Sequence, residues 1–218
     1  MRVVLALTVM LVAFLAWPRP TSPLPPEMVV VPAGAFLSGS DDPDADPDVR
    51  PARQVTLPAF YIDRREVTHA EYRRFKPSHV IPAGAENFPV THLTRAEARA
   101  YLASVGKRLP TSAEWEKAAR GPDGRRYPWG NQWDPTRAHV GERSDLHARG
   151  LCGLPRQVAV GSFPSGASPY GCLDMCGNAW EWVADDLHGL ELIRGGAFGY
   201  AERHCRTYAF GVEGTGMT

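Results

Sequence analysis

Four cysteines carry the softest chemistry in this 218-residue chain: Cys152, Cys172, Cys176 and Cys205. Cys172 and Cys176 stand four apart in Cys-Leu-Asp-Met-Cys. Two thiolates flanking the Met175 thioether would suit copper(I). The same spacing serves a structural pair or small buried thiols, which is the commoner use. In an oxidising compartment four cysteines allow two disulfides in three connectivities. Other enzyme signatures are missing from the sequence: there is no P-loop, no Gly-x-Ser-x-Gly, no His-Glu-x-x-His and no dinucleotide fingerprint. The seven histidines are dispersed.

The segment around these residues is rich in turns. Gly (21) and Pro (20) far exceed the roughly 12% that the two usually make up together. That excludes a helix bundle or a doubly wound sheet and predicts a domain with much loop. Lys+Arg and Asp+Glu are 24 each, so the net charge is zero and a dedicated nucleic-acid binder is excluded. Arg2 and the apolar run 3–17 read as a signal peptide, or as an uncleaved N-terminal membrane anchor because Trp17-Pro-Arg-Pro20 offers no small-residue cleavage site. The run is short for a membrane span, which needs ~20 residues. Residues 18–26 read as a proline-rich tether and 27–218 as the folded domain. The localisation expected is outside the cytoplasmic membrane, periplasmic or anchored on its outer face.

The elements that must position the cysteines follow from local patterns. Residues 28–40 read as a β-rich run bent at Gly34, and 54–63 as a strand interrupted at Pro58. Thr68-His-Ala-Glu71, Thr94-Arg-Ala-Glu97 and Thr111-Ser-Ala-Glu114 are three capping boxes, each predicting a helix. The second helix should end near Gly106 and the third near Gly121. Ala98, Tyr101, Leu102 and Val105 recur at helical spacing. Beyond Gly121 the reading is of turns and aromatics, held by side-chain packing, bound ions and loop hydrogen bonds rather than by ladders.

These segments, in this order, resemble the sulfatase-modifying-factor family, whose founding activity is the formylglycine-generating enzyme. The landmarks are Met28-Val-Val-Val-Pro-Ala-Gly34, Glu66-Val-Thr68 and Phe88-Pro-Val90. The strongest is Gly106-Lys-Arg-Leu-Pro-Thr-Ser-Ala-Glu-Trp-Glu-Lys-Ala-Ala-Arg-Gly121, with Tyr127-Pro-Trp-Gly130. Gly177-Asn-Ala-Trp-Glu-Trp182 and Ile193-Arg-Gly-Gly196 complete the set. The resemblance implies a single α+β domain, related to C-type lectins and low in regular structure. Family members run on to a closing Gly-Phe-Arg strand, so the domain reads as short at its C-terminus.

The resemblance also implies site residues. Oxidase members hold Cu(I) between two cysteines after the Gly-Gly pair and use oxygen to turn a substrate cysteine into formylglycine. Counted from Gly195, the second cysteine falls on Cys205 and the first on Tyr200. Ala197 stands where the oxidases have serine, and Trp180 matches the tryptophan of the oxygen pocket. The candidate catalytic set is therefore Cys205, Trp180 and Tyr200, with one thiolate missing. His204 is the neighbouring alternative ligand. For calcium, the resemblance implies side-chain oxygens of Asp174 and Glu181 with carbonyls of Gly177 and Ala179, a hard donor set that would clip an irregular loop. The family's other calcium site falls near His139, and its later acidic ligand has no clear counterpart in 145–153.

Three functions follow. The chain is read first as an exported, non-oxidase accessory or binding module for an envelope protein or peptide. The second reading is a copper- and O₂-dependent oxidase of a protein cysteine or other thiol. The third is a lectin-like binder of carbohydrate or peptide using Trp129, Trp133, Trp180 and Trp182, residues that serve equally as core.

Overall fold

The computed structural model describes residues 27–141 and 157–213. The N-terminal run, the tether and Cys152 lie outside the described residues. The β-rich start folds as β1 (Met28–Val31) and β2 (Gly34–Ser38), separated at the predicted bend. The second run splits at Pro58 into β3 (Arg53–Leu57) and β4 (Phe60–Asp63). These pair crosswise, β1 with β4 and β2 with β3, both antiparallel.

All three capping boxes form. Thr68 caps α1 (His69–Phe75), Thr94 caps α2 (Arg95–Ser104) and Thr111 caps α3 (Ser112–Arg120), each with the reciprocal glutamate bond. The left-handed Gly121 (φ 70°) ends α3 as predicted. The apolar stripe of α2 turns to a groove rather than the core: Ala98, Tyr101, Leu102 and Val105 line its wall.

The C-terminal half corrects the expectation of turns alone. β5 (Glu181–Leu187), β6 (Leu190–Arg194) and β7 (Phe210–Glu213) form a three-stranded antiparallel sheet in that order. Its first hairpin turns at His188-Gly189, both at positive φ, the geometry of a two-residue hairpin loop. A register irregularity between Trp182 and Asp186 interrupts the alternation that marks a strand in sequence.

The main core packs Val29 and Val31 of β1, Trp115 and Ala118 of α3, Val183 and Leu192 of the sheet, and Cys172 with Met175. Helix α3 is buried almost all round, so its polar side chains act as internal staples. Lys117 Nζ donates to the carbonyls of Pro32 and Gly34 at 2.8 Å each, clamping the β1–β2 bend. Glu116 accepts from Gly39 N at 2.7 Å and pairs with Arg120 (2.7 Å) and Arg194 (3.4 Å). On α2, the buried Arg95 reaches Asp186 at 2.6 Å and Glu191 at 3.0 Å, tying that helix to the sheet.

Candidate functional site

The loop before β5 carries most of the predicted site. Asp174 (φ 57°) and Asn178 (φ 61°) are left-handed, a conformation that Asp and Asn tolerate better than most residues, and Gly177 lies between them at φ 87°. Gly177 N donates to Gly195 O at 2.8 Å and Asn178 N to His139 O at 2.9 Å, so the loop is pinned on two sides. A Cβ at Gly177 would collide with the His139 carbonyl, which explains the glycine.

Three acidic side chains converge here. Asp174 Oδ2 accepts from Gly161 N at 2.6 Å, and Glu181 Oε2 accepts from Trp115 Nε1 at 3.0 Å. Glu66, which precedes α1, accepts from Asn178 Nδ2 at 2.7 Å and from Ala179 N at 3.0 Å. Burial, with the charge of Asp174, pushes the Glu181 carboxyl up to about 7. Burial also pushes Glu66 well above the usual carboxylate range, reinforced by the charges of Asp174 and Glu181. Asp174 is raised by burial as well. The sequence reading used Glu66 only as a landmark of the helix start. Its hold on the loop spans more than a hundred positions, a contact no local pattern announces. Among the described residues, no group of three or more His, Cys, Asp or Glu side chains forms a metal cage. A set of two carboxylates and two carbonyls is of a different kind.

The predicted catalytic set is divided: Trp180 and Tyr200 meet each other, whereas Cys205 packs with Ala138 and Cys176 against Trp129, Trp133 and Val140. Trp180 packs edge-on against Tyr200 (centroids 5.3 Å apart), and His204 lies 5.6 Å from Tyr200 and 6.3 Å from Trp180. Tyr200 is 45% exposed, whereas Cys205 is 0% exposed. The Trp180 indole N–H is buried without a hydrogen-bond partner among the described residues. Burial lowers the pKa of His204 and favours its neutral form.

The described cysteines are buried thiols, the commoner use of the Cys-x-x-x-Cys spacing. Cys172 sits with Met175 in the main core, where burial pushes its thiol up to about 12. Cys176 packs instead with Cys205 and Ala138 in a second cluster against Trp129, Trp133 and Val140. The Cys-x-x-x-Cys pair is thus divided between two hydrophobic clusters. All three described cysteines are free and buried.

Beside the acidic loop runs a groove of about 1200 Å³ between β1 and β4, the 89–94 segment, α2 and the C-terminal sheet. Tyr61, Tyr101, Trp180, Glu181 and Trp182 contribute to its wall, while Tyr200 and Cys205 do not. Trp182 is held there by its indole N–H, which donates to Leu93 O at 2.9 Å. Trp129 and Trp133 lie elsewhere, stacked around Tyr127.

The sulfatase-modifying factor enzyme 1-like domain model matches residues 15–216. The chain belongs to that family. A formylglycine-generating enzyme of Thermomonospora curvata is 31% identical over 83% of this chain and 85% of its own length. The mouse inactive C-alpha-formylglycine-generating enzyme 2 is 32% identical over 79% of this chain and 74% of its own. Among solved structures, PvdO from Pseudomonas aeruginosa superposes with a TM-score of 0.69 at 26% identity, covering 87% of this chain and 88% of that one. The expected single α+β domain of this family is therefore correct. Family membership spans proteins named as generators of formylglycine and as inactive, so it does not by itself assign an activity to this member.

Proposed function

We propose that this chain is an exported, non-oxidase member of the family that binds a protein or peptide segment of the cell envelope in its groove. The observation that carries the reading is the state of Cys205. Its thiol is fully buried, off the groove wall and packed in one cluster with Cys176, while the family's first copper position is held by the exposed Tyr200. An oxidase acting on a substrate cysteine needs a thiolate-held copper that substrate can approach. A sealed thiol pair offers no such approach. The mouse relative named inactive shows that the family contains such members. Export is supported by Arg2 and the apolar run that follows it.

Calcium fits the loop beside the groove. Buried carboxylates, one of them raised further by the charge of Asp174, are relieved by a divalent cation, and carboxylate and carbonyl oxygens are its preferred donors. Asp174 and Glu181 would hold it by their side chains, Gly177 and Ala179 by their carbonyls. Its contribution would be to fix the loop that carries Trp180 and Trp182 toward the groove.

A second reading has one observation in its favour: Cys176 brings a second thiol to Cys205, so two soft donors are at hand for a relocated copper. Anaerobic Cu(I) titration of the reduced protein, with Cys205→Ser alongside, separates the two. The binding-module reading expects no tight one-to-one site. A stoichiometric site lost in Cys205→Ser would overturn it in favour of an oxidase.

A further inference from the structure

We propose that Cys176 and Cys205 form an intramolecular disulfide in the oxidised protein, a covalent staple between the loop before β5 and the turn before β7. The two side chains pack in one buried cluster with Ala138, against Trp129, Trp133 and Val140. Both chain segments pack against the Gly195-Gly196 pair. Gly177 N–H donates to Gly195 O at 2.8 Å, and the next residue, Gly196, packs against Cys205. A Cβ at Gly196 would come within 2.7 Å of Cys205 Sγ and 3.0 Å of His204 O, so only glycine leaves that sulfur its place. Disulfide geometry demands this kind of fixed, close approach of two chain segments. The alternative partner Cys172 is committed to the main core with Trp115 and Val183.

Bond formation removes one proton from each thiol and two electrons from the pair. The acceptor is a disulfide oxidant, protein or small molecule, reduced to two thiols. One cysteine attacks the oxidant's S–S bond to give a mixed disulfide, and the other displaces the oxidant's remaining thiol as the Cys176–Cys205 bond closes. Exposures of 5% and 0% place this exchange during folding or in a locally opened state rather than in the closed fold. The staple removes Cys205 from metal chemistry and fastens the acidic loop to the segment that carries Tyr200. It does not depend on what the groove binds.

The full chain, refolded with oxidised glutathione, is alkylated and cut with trypsin and Asp-N, which place Cys172, Cys176 and Cys205 on separate fragments. The expected result is fragment 174–184 joined to fragment 204–206, released by dithiothreitol, with Cys172 alkylated. Cys172→Ser should leave the link intact. Alkylation of both Cys176 and Cys205, or a link from Cys205 to Cys172 or Cys152, would overturn the assignment.

Discussion

At the residue scale, the side chains that matter most are charged and buried. Glu116, Arg120 and Arg194 are each 5% exposed or less, and the one carboxylate is paired with both guanidiniums inside the fold. Removing one partner strands the others without water. Glu116→Gln should therefore cost about 3–5 kcal/mol in denaturant unfolding, the range for breaking a buried ion pair. The acidic loop makes a second residue-level prediction. Calcium at a hundred times its dissociation constant should stabilise the protein by about 2.7 kcal/mol, read as a rise in melting temperature. Glu181→Gln keeps an acceptor for the Trp115 indole and removes the charge, so it should abolish the rise. A wild-type protein indifferent to calcium would end the calcium proposal.

At the element scale, the helices depend on their first turns. In α3, Thr111 Oγ1 accepts from Glu114 N at 3.1 Å, while Arg108 grips the Glu114 carboxylate with two 2.7 Å bonds. Thr111→Ala should lose ~1 kcal/mol, as N-cap truncations do. The Arg108 bonds, with help from the Thr111 backbone, hold the Glu114 carboxyl below its ordinary 4.5. A carboxyl depressed on folding stabilises the fold above its unfolded value and loses that contribution as pH falls through the folded one. Stability of the wild type should thus decline more steeply than that of Glu114→Gln as pH drops below about 4.5. Matching acid curves for the two proteins would show the pair to be inert.

At the scale of the whole molecule, the fold is held by long-range ties. Lys117 reaches the first bend, Glu66 reaches the loop before β5, and Arg95 reaches the C-terminal sheet. A Cys176–Cys205 disulfide would add one covalent tie of shorter reach. The oxidised form should be more stable than the reduced form by roughly 3–4 kcal/mol, the value for loops of a few tens of residues. Urea midpoints measured with and without dithiothreitol test this, with Cys176→Ser as the form that should not respond to reductant.

The sequence by itself determined what is local. The three capping boxes, the bend at Gly34, the break at Pro58 and the stop at Gly121 depend on neighbours within a few positions, and each appears where the pattern puts it. The ordered family landmarks determined the fold because they are its staples: Trp115, Glu116, Lys117 and Arg120 are buried structural residues. Tertiary structure alone decided the rest. The C-terminal sheet was hidden by its irregular register and by the short His188-Gly189 turn. It also decided which cysteines meet. Cys172 and Cys176 are four apart yet belong to different cores, while Cys176 and Cys205 are distant in sequence and pack in one cluster. Spacing along an irregular backbone says little about where side chains meet. Only the packing of one loop on another brings the chemistry together.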